Sequence, residues 1–151
     1  MNEHEFQNKV RGALLGTAIG DALGFIAERL SCAQIKRSFG KVTRFYVIGK
    51  HGFVSDDTEQ SALVAYSLAK NPCDSNGCLE DFRRSLLFWY LSLPFGIGRA
   101  TIQACTRIAI GMKESGVNSA GNGAAMRAAL IGAFFYDYSC RVQAAAYIAD
   151  Q

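Results

Sequence analysis

EFQNKVRGALLGTAIGDALGFIAERL, residues 5–30, decides the fold class of this chain. Phe6, Val10, Leu14, Leu23 and Ile26 are among apolar positions compatible with a helix, and the stretch predicts one long helix. Gly12, Gly16, Gly20 and Gly24 recur at every fourth position. Inside a helix each costs about 1 kcal/mol relative to alanine, so an offsetting contact is expected. Residues four apart share a helix face. The strip therefore predicts either close packing of Gly16 and Gly20 against another helix or the backbone around Ser55, or access for a ligand.

The rest of the chain follows the same period. Helices are predicted over 57–70, 79–91, 99–113, 124–136 and 141–149. NPCDSNG (71–77) and Pro94-Phe95-Gly96 break the pattern. GKVTRFYVIGKHGFV (40–54) reads as a loop with one short strand. Strands do not alternate with helices, so the class is all-α.

At 151 residues, half of them hydrophobic and only two of them proline, the chain is one domain's worth and can bury a core. The net charge of +3 is small, and Lys36, Arg37, Lys41 and Arg44 read as a solvated loop instead of a nucleic-acid footprint. Five cysteines without a CxxC pair suit a reduced, cytoplasmic thiol set. The start, MNEHEFQNK, is too polar for a signal peptide, and the apolar run 13–27 is shorter than a membrane span and contains Asp21. A soluble protein is expected.

Ser55-Asp56-Asp57-Thr58-Glu59-Gln60 opens a predicted helix with a hydroxyl and two adjacent carboxylates. Helix capping accounts for much of it: Ser and Asp favour N-caps, and Asp57 with Gln60 has capping-box spacing. Hard oxygen donors crowded at one point also suit a divalent cation such as Mg²⁺, and both readings stay open. Asp21 and Glu28 are seven apart, within about 20° of each other on a regular helix. They are either paired buried acids or a second source of metal ligands. Gly96-Ile97-Gly98 turns into a helix whose N-terminus can receive an anion. Ser119-Ala120-Gly121-Asn122-Gly123 offers a hydroxyl, an amide and free backbone NH groups before the next helix. No GxxxxGK[ST] phosphate loop occurs, and no GxGxxG follows a strand.

Taken in order, RGALLGTAIGDALGFIAE (11–28), SDDTEQ (55–60), FGIGRAT (95–101) and SAGNGAAMRAALIG (119–132) resemble the ADP-ribosylglycohydrolase family. The resemblance implies a compact multi-helix fold holding two Mg²⁺ ions, or Mn²⁺ in some members, in a cleft. Its activity would be hydrolysis of the N- or O-glycosidic bond joining ADP-ribose to a modified side chain, or of related ADP-ribosyl compounds. It casts Ser55, Asp56 and Asp57 as metal ligands and Glu28, Asp56 and Asp57 as the catalytic set. Gly96, Gly98, Ser119, Gly121, Asn122 and Gly123 would hold the substrate. Glu59 stands where the family usually has glutamine, which adds a charge. The family's later Asp-x-Asp-Thr motif is absent, so residues 1–151 are expected to form the N-terminal half of such a domain. A truncated half should expose apolar area along Leu130, Phe134, Phe135 and the helix after Arg141, and self-associate or take up a complementary C-terminal half. The alternative is a catalytically incompetent remnant that binds nucleotide or serves as a structural module.

Overall fold

Asn2 starts the first helix by accepting from the Glu5 amide at 2.8 Å, while the Glu5 carboxylate accepts from the Asn2 amide at 3.2 Å. This reciprocal capping box opens α1, Glu3–Gly24. The computed structural model describes residues 2–47, 49, 51–72 and 74–135. Within them α1 is followed by a 3₁₀ turn (Phe25–Ala27), then α2 (Cys32–Ser38), α3 (Asp56–Lys70), α4 (Ser75–Leu91), α5 (Arg99–Ala109) and α6 (Gly123–Phe135). The described residues hold helices and no strand, so the all-α expectation holds, and in the stretch 40–54, where a short strand was expected, the described residues show only an isolated bridge at His51. The helix expected over 141–149 and the last residue of the one expected over 124–136 lie outside the described residues.

Four features differ from the sequence reading. The first helix stops at Gly24 instead of near Leu30: the 3₁₀ turn ends at Glu28 (φ −55°, ψ 137°), and Arg29 takes φ 62°. Asp21 and Glu28 therefore do not share one regular helix. Second, α2 was not anticipated, although Ser31 and Gln34 carry the capping-box spacing that opens it. Third, α5 ends four residues early, at Ala109, where Gly111 turns the chain with φ 79°. Fourth, α4 is capped by Asp74 and begins at Ser75 instead of at 79.

The core forms where α3 lies among α1, α4 and α6, with α5 against α4. Val64 and Leu68 of α3, Cys78, Phe82 and Leu86 of α4, Cys105 of α5, and Leu130, Ile131 and Phe135 of α6 make one buried cluster. Burial pushes the Cys78 and Cys105 thiols up to about 11, with Asp81 and Asp74 adding to the effect at Cys78. Both behave as small apolar core groups. Leu130 and Phe135 are thus buried, and Phe134 packs edge-on against Phe6 at 5.4 Å, which corrects the expectation of an exposed α6. Large apolar side chains are exposed elsewhere: Leu15 and Ile19 on α1, and Phe88, Leu91, Leu93 and Phe95 at the end of α4 and beyond.

Of the two readings of the glycine strip, close packing against another helix or the backbone around Ser55 is not met. A Cβ on Gly12, Gly16, Gly20 or Gly24 would meet no atom within 4 Å outside its own helix turn. The face of α1 turned to the core is instead marked by Val10, Ala13 and Leu14. Close approach occurs at Gly52, where a Cβ would sit 3.0 Å from the Ala22 Cβ and 3.3 Å from the Phe45 ring. By length and composition α1 with its 3₁₀ extension could cross a membrane, but here it packs on α3 and α6 and its one interior acid is bonded to α3.

Candidate active site at the N-terminus of α3

Asp21, in the last turn of α1, builds the entry to α3. Its Oδ2 accepts from the Ser55 amide (2.7 Å), the Thr58 amide (3.2 Å) and Thr58 Oγ1 (2.5 Å). Its Oδ1 accepts from Ser55 Oγ at 2.8 Å. A carboxylate in an apolar stretch is costly unless its lone pairs are filled, and here four donors fill them. Asp21 is the paired acid of the two readings left open. Ser55, 3% exposed, is the N-cap of α3, and its Oγ also accepts from the Asp57 amide at 3.4 Å. Asp57 and Gln60 do not form the capping box their spacing suggested: the Gln60 amide reaches back to Asp56 Oδ2 at 3.4 Å.

The glycine-rich loop meets this acidic turn across 65 residues of sequence. Asn122 Nδ2 lies 3.0 and 3.2 Å from the two Asp57 carboxylate oxygens. Ser61 Oγ, fully buried, sits 2.7 Å from Asp57 O and 3.1 Å from Met126 O, tying α3 to α6 behind that contact. On another side Gly96, with φ 88°, approaches so that a Cβ there would lie 3.5 Å from Asp56 Oδ1. Its positive φ and this proximity both favour glycine. The exposed Glu59 carboxylate accepts from Trp89 Nε1 of α4 at 2.7 Å, a bond that ties it to α4 without removing its charge.

A helix N-terminus normally favours ionised acids in its first turn. Burial and like charge win here. The Asp56 carboxyl is pushed up to about 6, first by burial and then by Asp57, with Glu28 and Asp21 adding and its own backbone hydrogen bond opposing. Burial also raises Asp57, Asp21 adds to this, and the Asn122 hydrogen bond opposes it. Glu28, exposed past the 3₁₀ turn, is raised by partial burial, then by Asp57 and Asp21, against Arg29. Glu28 is thus within electrostatic reach of the cluster although the helix does not carry it there.

This sets the sign of a pH effect. A carboxyl whose folded pKa lies above its unfolded value of 3.8 stabilises the fold below pH 3.8, and that contribution is lost as pH rises through about 6. Asp56→Asn, which mimics the neutral acid, is expected to melt higher than the parent at pH 7.5 in chelator. The gap should close by pH 3.5. Equal melting temperatures at pH 7.5, or a gap that grows on acidification, would contradict the crowding of charge.

Carboxylate and hydroxyl oxygens that repel one another when ionised fit a hard divalent cation in their chemistry. Among the described residues no three His, Cys, Asp or Glu side chains converge closely enough to hold one ion, so Asp56 and Asp57 would supply only part of a coordination shell.

The structure thus gathers Ser55, Asp56, Asp57, Gly96 and Asn122, with Glu28 near in charge. Gly98, Ser119, Gly121 and Gly123 lie elsewhere. Gly98 is the N-cap of α5, and the other three line a cavity of about 910 Å³ together with Gln60, Thr101 and Arg127. Gln60 is bonded to Asp56 and also faces this cavity, so the acidic turn and the cavity share a wall. The sequence reading paired Gln60 with Asp57 instead; its i,i+4 spacing from Asp56 is the signal that could have found this bond. Arg127 was visible in the motif but had no role; nothing local in the sequence marks it as buried.

The sequence model of the ADP-ribosylglycohydrolase family matches residues 2–151. An uncharacterised protein of Archaeoglobus fulgidus is 34% identical over 137 residues, covering 86% of this chain and 44% of that protein. The ADP-ribosyl-[dinitrogen reductase] glycohydrolase of Rhodospirillum rubrum is 33% identical over 131 residues, covering 80% of this chain and 42% of that enzyme. The chain spans less than half the length of these relatives.

Proposed function

Because this chain belongs to the ADP-ribosylglycohydrolase family, we propose that it contributes the acidic turn and the glycine-rich loop of a site that hydrolyses an ADP-ribosyl glycosidic bond. The observation that carries this is the Asn122–Asp57 contact, which joins a substrate-type loop to a ligand-type carboxylate pair. The substrate would be an ADP-ribosylated protein side chain or a small ADP-ribosyl compound. We further propose that Asp56 and Asp57, with Ser55 beside them, hold Mg²⁺ or Mn²⁺, two ions in all. Such ions supply Lewis-acid polarisation and a water of lowered pKa near neutral pH.

The residues themselves have separable tasks. Asp21 fixes the entry to α3, so the two adjacent carboxylates are held before any ligand arrives. Asn122 orients the Asp57 carboxylate through its amide and anchors the 119–123 loop to it. Glu28, beside the cluster and exposed, is placed to orient a substrate group or hold a proton at its carboxylate. Gly96 keeps one side of Asp56 free of side-chain bulk.

The test is release of free ADP-ribose from an ADP-ribosylated arginine or serine peptide in Mg²⁺ or Mn²⁺. Asp56→Asn combined with Asp57→Asn is expected to lower the rate by about 10²-fold or more while the protein stays folded. A folded double variant working at the parental rate, or a parent that neither binds ADP-ribose nor releases it, would overturn the reading in favour of a structural module.

A further inference from the structure

From Arg29 to Val54 the chain has no Asp or Glu, yet it carries Arg29, Lys36, Arg37, Lys41, Arg44 and Lys50. Six of the chain's 16 Lys and Arg and none of its 13 Asp and Glu fall there, so this segment is +6 and the remainder −3. The small net charge conceals that separation. Lys36, Arg37, Lys41 and Arg44 are all exposed. Among the described residues none of these four is in an ion pair with a carboxylate.

Apolar packing fastens this basic segment beside the acidic turn. Gly52 seats against Ala22, the residue after Asp21, and against the Phe45 ring. Phe53 meets Phe25 and Phe95, with ring centres 5.2 and 6.1 Å away. Phe25 stands three residues before Glu28, and Phe95 directly precedes Gly96, whose backbone approaches Asp56. At the other end of the segment Phe39 meets Tyr46 edge-on at 5.2 Å. The last turn of α2, which carries Lys36 and Arg37, is thereby joined to the stretch that carries Arg44.

We propose that Lys36, Arg37, Lys41 and Arg44 form a docking surface for carboxylates that flank the modified residue of an ADP-ribosylated protein. Exposed cations without local counter-charge steer an acidic partner and raise its rate of encounter. The acidic turn repels the same carboxylates, so the two faces together orient a substrate whose acids lie on the basic side. A cavity of about 520 Å³ beside Arg44, Phe45, Tyr46 and Gly49 gives the flanking chain a seat. A single-stranded nucleic acid needs aromatic faces on which bases can stack. The Arg44 guanidinium covers the Tyr46 ring at 5.0 Å, and Phe39, Phe45 and Phe53 are engaged in the contacts above, so the surface offers charge without a stacking platform. That the docked protein is ADP-ribosylated rests on the function proposed above; the affinity for acidic peptide does not.

The experiment compares two ADP-ribosylated arginine peptides that differ only in their flanks, Glu-rich in one and Gln-rich in the other. The Glu-rich peptide is expected to be favoured about 10-fold in kcat/KM at low salt, and about 2-fold once the ionic strength is raised well above physiological. Lys36→Gln with Arg37→Gln and Lys41→Gln should remove the preference and leave the rate on the Gln-rich peptide unchanged. Equal rates on the two peptides, or a preference that persists in the triple variant, overturns the proposal. If neither peptide is hydrolysed, the catalytic reading falls and fluorescence anisotropy of the labelled, unmodified Glu-rich peptide decides the docking surface. Salt-sensitive binding that weakens several-fold in the triple variant upholds it; no binding, or binding that the variant keeps, overturns it. Tighter binding of a single-stranded RNA of equal charge, lost in the triple variant, would assign the surface to nucleic acid and likewise overturn it. Should the triple variant fail to fold, Lys41→Gln with Arg44→Gln takes its place under the same criteria.

Discussion

Asp21→Ala is expected to lower the melting temperature by about 10–15 °C. The variant removes the acceptor for four donors at once: the Ser55 and Thr58 amides and both hydroxyls. Ser55 is 3% exposed, so its amide and hydroxyl cannot all be rehydrated in place. Hydrogen bonds to a charged group contribute about 1.5–3 kcal/mol each, and removing one partner of a buried set leaves the others unsatisfied. Some overlap among the four is certain, and a total of about 3–5 kcal/mol is the reasonable scale. For a chain of this size that corresponds to the stated shift, at about 2–4 °C per kcal/mol. Asp21→Asn keeps one acceptor oxygen but sets an NH₂ against the remaining donors, so it should recover less than half of the loss. A drop of only 1–2 °C in the alanine variant would mean that water replaces the carboxylate, and Asp21 would no longer be the post on which the acidic turn stands.

Phe82→Ala carries an effect of similar size for a different reason. The ring is 2% exposed in the middle of α4, within the cluster shared by α3, α5 and α6, and the Arg127 guanidinium lies over its face. Truncation to alanine loses the transfer energy of the ring and leaves a cavity, about 3–5 kcal/mol in total. Urea unfolding should show the midpoint falling with little change in slope. Phe82→Leu separates packing from the ring's electrostatic face. It retains most of the volume, so it should cost clearly less than alanine, while Arg127 loses the ring face that accompanies its burial. A loss below about 1 kcal/mol for the alanine variant would place Phe82 outside the cooperative core.

Residues 5–30 illustrate how far local pattern reaches. Apolar period and an Asn-x-x-Glu start specify a helix there, and the helix forms from Glu3. Its end was not legible, because Gly24, where the helix stops, is one of four evenly spaced glycines and nothing local sets it apart from Gly12, Gly16 and Gly20. Gly12, Gly16, Gly20 and Gly24 posed the opposite problem. Their spacing invited a packing role, yet period alone says only that they share a face and not which way that face turns. Orientation was set by Val10, Ala13 and Leu14 packing at the core, and the strip was left open.

The same division runs through the candidate site. The order of four motifs was enough to determine the all-α class and the family, because helical period and turn chemistry are local and motif order needs no coordinates. The tertiary structure decided which group each acid is bonded to. Asp21 is held by α3, Glu59 by Trp89 and Asp57 by Asn122, each over 30 or more residues of sequence separation. It also decided that Gln60 joins the acidic turn to a cavity and that Arg127 is buried without an opposing charge among the described residues. Partnership and burial depend on distances between segments far apart in the chain, and those distances exist only once α3 has been packed among α1, α4 and α6.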